Sequence, residues 1–198
     1  MIIDIFFKRH IDYLDIESIK KSHDVIYIVD EKMILRAYNH AWIKFAKDNH
    51  GAMILAYYST GSNIADAFTG PIKDYLIGAY KKALQENKPF EHDYECPSAA
   101  EYRLFHQTAY PIVESRGLVI SNHLVKTCSP TETAHEFKER FVNEHGIVVQ
   151  CSNCRKIRDS KNDDGWLWVP EFIEKPYPKT SHGICPRCLD HYYPEIDD

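Results

Sequence analysis

Residues 24–48 read DVIYIVDEKMILRAYNHAWIKFAKD, and this stretch decides the fold. DVIYIV (24–29) is a β-rich run stopped by Asp30-Glu31-Lys32, and MILRAY (33–38) is a second one. Two short apolar runs joined by a polar turn read as a hairpin. Asn39 follows with a side chain suited to cap a helix through 40–48, whose Trp42, Ile43, Phe45 and Ala46 share one face. Asn49-His50-Gly51 ends it.

Upstream, HIDYLDIESIKKS (10–22) places Ile11, Leu14, Ile16 and Ile19 at roughly helical spacing, which predicts a short amphipathic helix. Downstream, 52–70 reads as irregular apart from a helical turn at 64–68, with Gly61-Ser62-Asn63 and Thr69-Gly70-Pro71 as breakers. Pro71 suits the first position of a helix over 72–86, where Ile72, Tyr75, Leu76, Ala79, Tyr80, Ala83 and Leu84 repeat at i, i+3, i+4. Three strands are expected at 90–95, 101–113 and 117–125. A polar connector helix is expected from Thr131 to Glu144, with Phe137 and Phe141 four apart. These elements alone give an α+β chain with a mostly antiparallel sheet.

The 198 residues are 44% hydrophobic and 27% charged, a globular composition that excludes whole-chain disorder, collagen-like repeats and coiled coil. Mean hydropathy is −0.44. No run approaches the ~18 apolar residues of a membrane span, so no membrane insertion is expected. The formal charge of −5 argues against a large nucleic-acid footprint. The start, MIIDIFFKRH, contains Asp4 and no basic leader, and is not read as an export signal. The expected compartment is the reducing cytoplasm.

There, paired cysteines read as metal ligands before disulfides. Four of the six cysteines form two C-x-x-C pairs, Cys151/Cys154 and Cys185/Cys188; Cys96 and Cys128 stand alone. Two such turns can close a tetrahedral four-thiolate zinc site. The 30 residues between the pairs (155–184) leave room for a hairpin or a helix, including Trp166 and Trp168. Arg155, Lys156, Arg158 and Arg187 flank the pairs and favour thiolates. Three other readings stay open: a thiol-redox pair, for which no strand-to-helix frame is read before Cys185; an iron–sulfur cluster; and buried free thiols. His182, three residues before Cys185, is either a substitute ligand or a hydrogen-bond partner of a sulfur.

The order strand–strand–helix–short helix–long helix–three strands, over residues 20–126, resembles a PAS domain. The points of likeness are DVIYIVD, YNHAW, GSNIADAF before the long helix, NKPFEHDYE at its end, and the spacing of Arg103 and Pro111. The resemblance implies a five-stranded antiparallel sheet of order 2-1-5-4-3 with helices over one face, around a pocket whose ligand the sequence does not name. The last part is similar to a cysteine-rich tail that follows PAS or receiver modules in bacterial signalling proteins. It is carried by CSNCRKIRD, Trp166 and Trp168, EFI at 171–173, SHGICPRC at 181–188 and Tyr193-Pro194-Glu195. It departs from that pattern in extra residues at 160–164, in Phe172 where the pattern has Tyr, and in Arg155 where it has Lys.

The expected organisation is therefore an N-terminal flanking helix (1–22), a PAS domain (23–128), a connector helix (129–145) and a four-cysteine zinc-binding tail (146–198) with structural Zn2+ on Cys151, Cys154, Cys185 and Cys188. His135-Glu136-Phe137 lacks the proline and the long helix of a phospho-acceptor box. Residues 60–70 lack a flavin-reactive cysteine, and 72–86 lack a haem-binding histidine. His106 and His123 fall on expected strands without a motif to order them. Residues 146–198 hold 7 Lys and Arg against 9 Asp and Glu, a poor electrostatic basis for nucleic-acid binding. No catalytic residue is assigned. The functional expectation is a non-catalytic sensor or docking module acting on a signalling protein partner. It is expected as a homodimer joined through the 10–22 helix. The alternative is a thiol-redox sensor or oxidoreductase.

Overall fold

The computed structural model describes residues 1–49, 51–68, 71–129, 138–162 and 165–193. The elements in chain order begin with β1 (Ile2–Ile3), α1 (Ile16–Lys21), β2 (Val25–Asp30), β3 (Leu35–Tyr38), α2 (His40–Asp48), α3 (Ala52–Tyr57) and α4 (Pro71–Glu86). β4 (Phe90–Glu95), β5 (Tyr102–Pro111) and β6 (Gly117–Cys128) follow. Then come α5 (Lys138–Phe141), β7 (Val148–Cys151), β8 (Ile157–Arg158), β9 (Trp166–Leu167), α6 (Glu171–Glu174), β10 (Thr180–Gly183) and α7 (Pro186–Tyr192).

The first sheet has the order β1-β3-β2-β6-β5-β4. Without the two-residue edge strand β1, this is the 2-1-5-4-3 order that the PAS resemblance implies. Gly117 starts β6 where a Cβ would lie 2.0 Å from the Val29 carbonyl oxygen, so only glycine allows this approach of β6 to β2. In the β2–β3 hairpin Tyr27 pairs with Tyr38, Ile28 with Ala37 and Val29 with Leu35, which leaves Arg36 as a bulged residue. The bulge resets the alternation. Leu35 and Tyr38, three apart, both join Tyr27 and Val29 on the face that packs against Tyr80, Ala83 and Leu84 of α4. Arg36 reaches Asp30 and Asp4 at 2.7 and 2.6 Å. Asp30 also accepts from the Lys32 and Ile34 amides and so closes the hairpin turn.

Asn39 caps α2 as its position predicts, accepting from the Trp42 amide at 3.1 Å. It is fully buried and does more. The same oxygen accepts from the Ile26 amide, and its Nδ2 donates to the carbonyls of Asp24 and Ile19. One side chain thus joins α1, β2 and α2.

Three segments differ from expectation, the third at its C-terminal end, where the connector helix expected to reach Glu144 stops at Phe141. Over 10–22 only Ile16–Lys21 is α-helical, started by Asp15, whose side chain accepts from the Ser18 amide. Ile11 is fully buried with Phe7, Ile28, Ala37 and Ile112, and Leu14 and Ile16 pack against that cluster. The apolar stripe is therefore covered by the chain's own sheet, on the face opposite α4. Ala52–Tyr57 is a helix where irregular chain was expected. The Gly51 amide donates to the Ala46 carbonyl at 2.7 Å, and this turns the chain directly from α2 into α3. Of the connector helix, Lys138–Phe141 is helical, and residues 131–137, with His135, lie outside the described residues.

The chain divides into two compact units, Met1–Asp93 with His106–Leu124, and Tyr94–Phe105 with Val125–Asp198. In the second, β7 lies between β10, parallel to it, and β8, which pairs with β9. Its apolar core is Phe141, Val148, Ile157, Val169 and Phe172. Asp159, whose side chain is 1% exposed, pairs with Arg140, and the hydrogen bond from that guanidinium holds its carboxyl below the usual carboxylate range.

Asn39→Ala should lower the stability of the first unit by about 3 kcal/mol, roughly 1 for the lost cap and the rest for buried groups left without partners. Urea unfolding measures this; a loss within 0.5 kcal/mol or so would show that the Asn39 bonds are not the hub described.

Candidate metal centre

Both cysteine pairs are delivered by backbone geometry. β7 ends at Cys151, and the chain turns at once: the Arg155 amide donates to the Cys151 carbonyl at 3.0 Å and the Cys151 amide to the Lys156 carbonyl at 2.8 Å. Arg155 closes the turn with φ +60°. The parallel pairing of β7 with β10 sets Gly183 opposite Cys151. Ser152 locks that register, its amide and its hydroxyl both donating to the Gly183 carbonyl at 2.9 and 3.1 Å. Two residues on, Cys185 caps α7, Pro186 opens it, and Cys188 lies in its first turn.

The four sulfurs lie within 4.8 Å of one another, and all four residues are buried. Cys154 Sγ and Cys185 Sγ are 3.7 Å apart. A tetrahedron with ~2.3 Å metal–sulfur bonds has edges of ~3.8 Å, so the donor set fits a single thiophilic ion. The Cys185 amide points at Cys151 Sγ at 3.4 Å. Trp166, Ile184 and Tyr192 pack around the quartet and limit its contact with water.

With only protons to share, the four groups split. Hydrogen bonds from Cys154, then Cys185 and Cys188, drive the Cys151 thiol down. Hydrogen bonding to Cys151, then Cys154 and Cys185, drives the Cys188 thiol up. A divalent cation replaces those protons and lets all four be thiolates. The lone cysteines stand apart from the quartet, and burial pushes the Cys96 thiol up.

All four expected ligands are thus brought together. His182 is exposed on β10 and outside the quartet. The space between the pairs holds the β8–β9 hairpin and α6. One expectation is corrected: a strand, β10, does precede Cys185 and a helix follows it, so the frame typical of redox pairs is present. What sets this site apart from that frame is the second pair, whose Cys154 sulfur approaches Cys185. Lys156 and Arg187, expected to favour the thiolates, both reach Glu95, at 3.0 and 2.9 Å.

His106 bonds Asp93 at 2.7 Å and His123 bonds Asp24 at 2.9 Å, both at the surface. The aromatic residues Tyr27, Tyr38 and Phe105 are buried, and Trp42, Phe45 and Tyr94 are half-buried. A polar string inside the first unit has no signal in the sequence. Tyr80 donates to Gln107 Oε1 at 2.7 Å, His92 Nε2 lies 3.2 Å from the same oxygen, and Gln107 donates to Asn122 at 2.8 Å. Strand alternation alone put His92 and Gln107 on the inner face. Among the described residues no helix is long and apolar enough to cross a membrane.

The chain is an α+β protein with PAS strand order, and its C-terminal part carries a four-cysteine cluster able to bind a metal. Among solved structures it is similar to the phage VqmA–DPO complex, with 15% identity and a TM-score of 0.45, over 60% of this chain and 54% of that one. It thus spans about half the length of that relative. It is also similar to the PAS domain of the Cronobacter turicensis RpfR quorum-sensing receptor in complex with C12:0, with 16% identity and a TM-score of 0.40, over 54% of this chain and 97% of that one. The PAS domain of Bordetella pertussis BvgS matches with 14% identity and a TM-score of 0.41, over 66% of this chain and 93% of that one. No family model matches the chain, and no curated protein does.

Titration with Co2+ should give thiolate-to-metal absorption at one equivalent. Cys151→Ser, Cys154→Ser, Cys185→Ser and Cys188→Ser should each weaken binding by at least about a hundredfold, while Cys96→Ser and Cys128→Ser leave it unchanged. Because each ligand must lose a proton, occupancy should fall as pH falls. Retention of a tight site by any of the four variants would remove that cysteine from the ligand set.

Proposed function

We propose that this chain is a non-catalytic signal-transduction module of the cytoplasm. A PAS-like sensor or docking domain is followed by a tail folded around one structural Zn2+, and the module acts by binding another signalling protein. The observation that carries this reading is the closed quartet of buried sulfurs. Four thiolates fill the coordination shell zinc prefers in structural sites and leave no position at which a water could be activated. Sulfurs within 4.8 Å of one another suit one ion rather than a polynuclear iron cluster, in which different irons take different cysteines. The metal supplies folding energy to the tail when bound; Cys151, Cys154, Cys185 and Cys188 hold it.

In the first unit, the histidines on the strands are engaged by carboxylates or by the Gln107 string, an arrangement suited to rigidity and recognition. A ligand or partner that binds one arrangement of this unit better than another shifts its population, and output passes through a contact rather than through turnover.

Native mass spectrometry on full-length protein purified without added metal tests the reading. The expected mass carries one zinc per chain, released by acid or chelator. A metal-free chain lighter by two hydrogens per disulfide would replace this reading with the thiol-redox one, and an iron-and-sulfide mass would replace zinc. Hydrolysis of ATP, or disulfide reduction above a variant with all four paired cysteines changed to serine, would overturn the non-catalytic assignment.

A further inference from the structure

Glu95 ends β4 and belongs to the same compact unit as the four cysteines. Its side chain is 8% exposed. A carboxylate so covered needs charged partners, because desolvation is otherwise costly. It has two, and both come from the cysteine turns. Lys156, two residues after Cys154, donates to Oε1 at 3.0 Å, and Arg187, between Cys185 and Cys188, donates to the same oxygen at 2.9 Å. Burial, and then the neighbouring Glu95, push the Tyr102 hydroxyl up. The Tyr102 ring packs on Trp168 at 5.8 Å and lies 5.8 Å from Lys156 Nζ.

Two cations each ~3 Å from one oxygen lie within ~6 Å of each other, and without the carboxylate they repel. That repulsion acts directly on the two turns that present the sulfurs. We propose that Glu95 is a positioning residue for the metal centre: a strut that holds the two cysteine turns at ligand spacing through Lys156 and Arg187. The strut also ties metal retention to order in the segment Tyr94–Phe105. That segment is closed on itself by the Cys96 amide donating to the Arg103 carbonyl at 2.9 Å, by Arg103 Nε donating to the Cys96 carbonyl at 3.0 Å, and by Tyr94 stacked on Phe105 at 5.4 Å. Coupling of this kind is reciprocal. Metal holds the turns that hold Glu95, and Glu95 slows the loss of metal. Partners of this type around metal ligands are worth roughly 10–100-fold in affinity.

The inference rests on the metal-binding reading above, and full-length protein loaded with one equivalent of Zn2+ separates the two. Metal loss to a colorimetric chelator should be about tenfold faster in Glu95→Gln than in the wild type, and about threefold faster in Arg187→Gln. The double variant should be no faster than Glu95→Gln, because both act through one contact. Arg187 is 71% exposed, so its substitution spares the fold and keeps the test decisive if Glu95→Gln folds poorly. Glu144→Gln removes an exposed carboxylate of the same unit, away from the strut and beside His145, and should leave the rate unchanged. Hydrogen exchange gives the reciprocal readout: removing metal from the wild type should speed exchange of the 94–96 and 102–105 amides about tenfold. Wild-type rates in Glu95→Gln or Arg187→Gln, multiplicative effects in the double variant, faster loss in Glu144→Gln, or metal-independent exchange in 94–105 would each overturn the strut while leaving the metal site standing. A loaded wild type that holds no metal would end both.

Discussion

Four cysteine sulfurs within 4.8 Å of one another cannot all be thiolates unless a cation sits among them. The turns and the strand pairing of the second unit converge on that quartet. The unit's apolar core consists of Phe141, Val148, Ile157, Val169 and Phe172, and its strands are two to four residues long. The pairing of β7 with β10, the turn through Arg155 and the start of α7 at Cys185 all serve to place sulfurs, and the sulfurs in turn hold those elements.

The first unit is built on a different principle. Apolar clusters lie on both faces of its sheet, and the specificity comes from a few buried polar groups. Asn39 joins three elements with four hydrogen bonds, and Asp30 closes a turn while anchoring the bulged Arg36. These groups fix which side of β3 faces α4, because a one-residue change in register would reverse every side chain. β4 and β5 contribute residues to both units, so the backbone runs continuously from the first sheet into the segment that bears Glu95.

Much of the fold was legible because its signals are local. The Asp30-Glu31-Lys32 turn, the Asn39 cap and the i, i+3, i+4 stripe of α4 each act over a few residues, and each element formed where expected. The fate of the stripe at Ile11, Leu14 and Ile16 was not legible. Periodicity shows that a face is apolar but not what covers it, and here the cover is the chain's own Ile28 and Ile112. The helix at Ala52–Tyr57 was missed because an apolar run of six has no readable period, and its start depends on the contact of Gly51 with Ala46.

The sequence by itself determined the strand order's raw material, the helix caps and which four cysteines come together as a cluster able to hold a metal, since residue type and spacing at C-x-x-C carry that chemistry. Only the tertiary structure decided that β10 runs parallel to β7 with Gly183 opposite Cys151, that Lys156 and Arg187 turn to Glu95, and that Tyr80, His92, Gln107 and Asn122 meet inside the sheet. The reason is distance along the chain. Glu95 lies 61 residues from Lys156 and 92 from Arg187. Contacts of that separation leave no periodic trace in the sequence, and they exist only once both partners have been folded into the same unit.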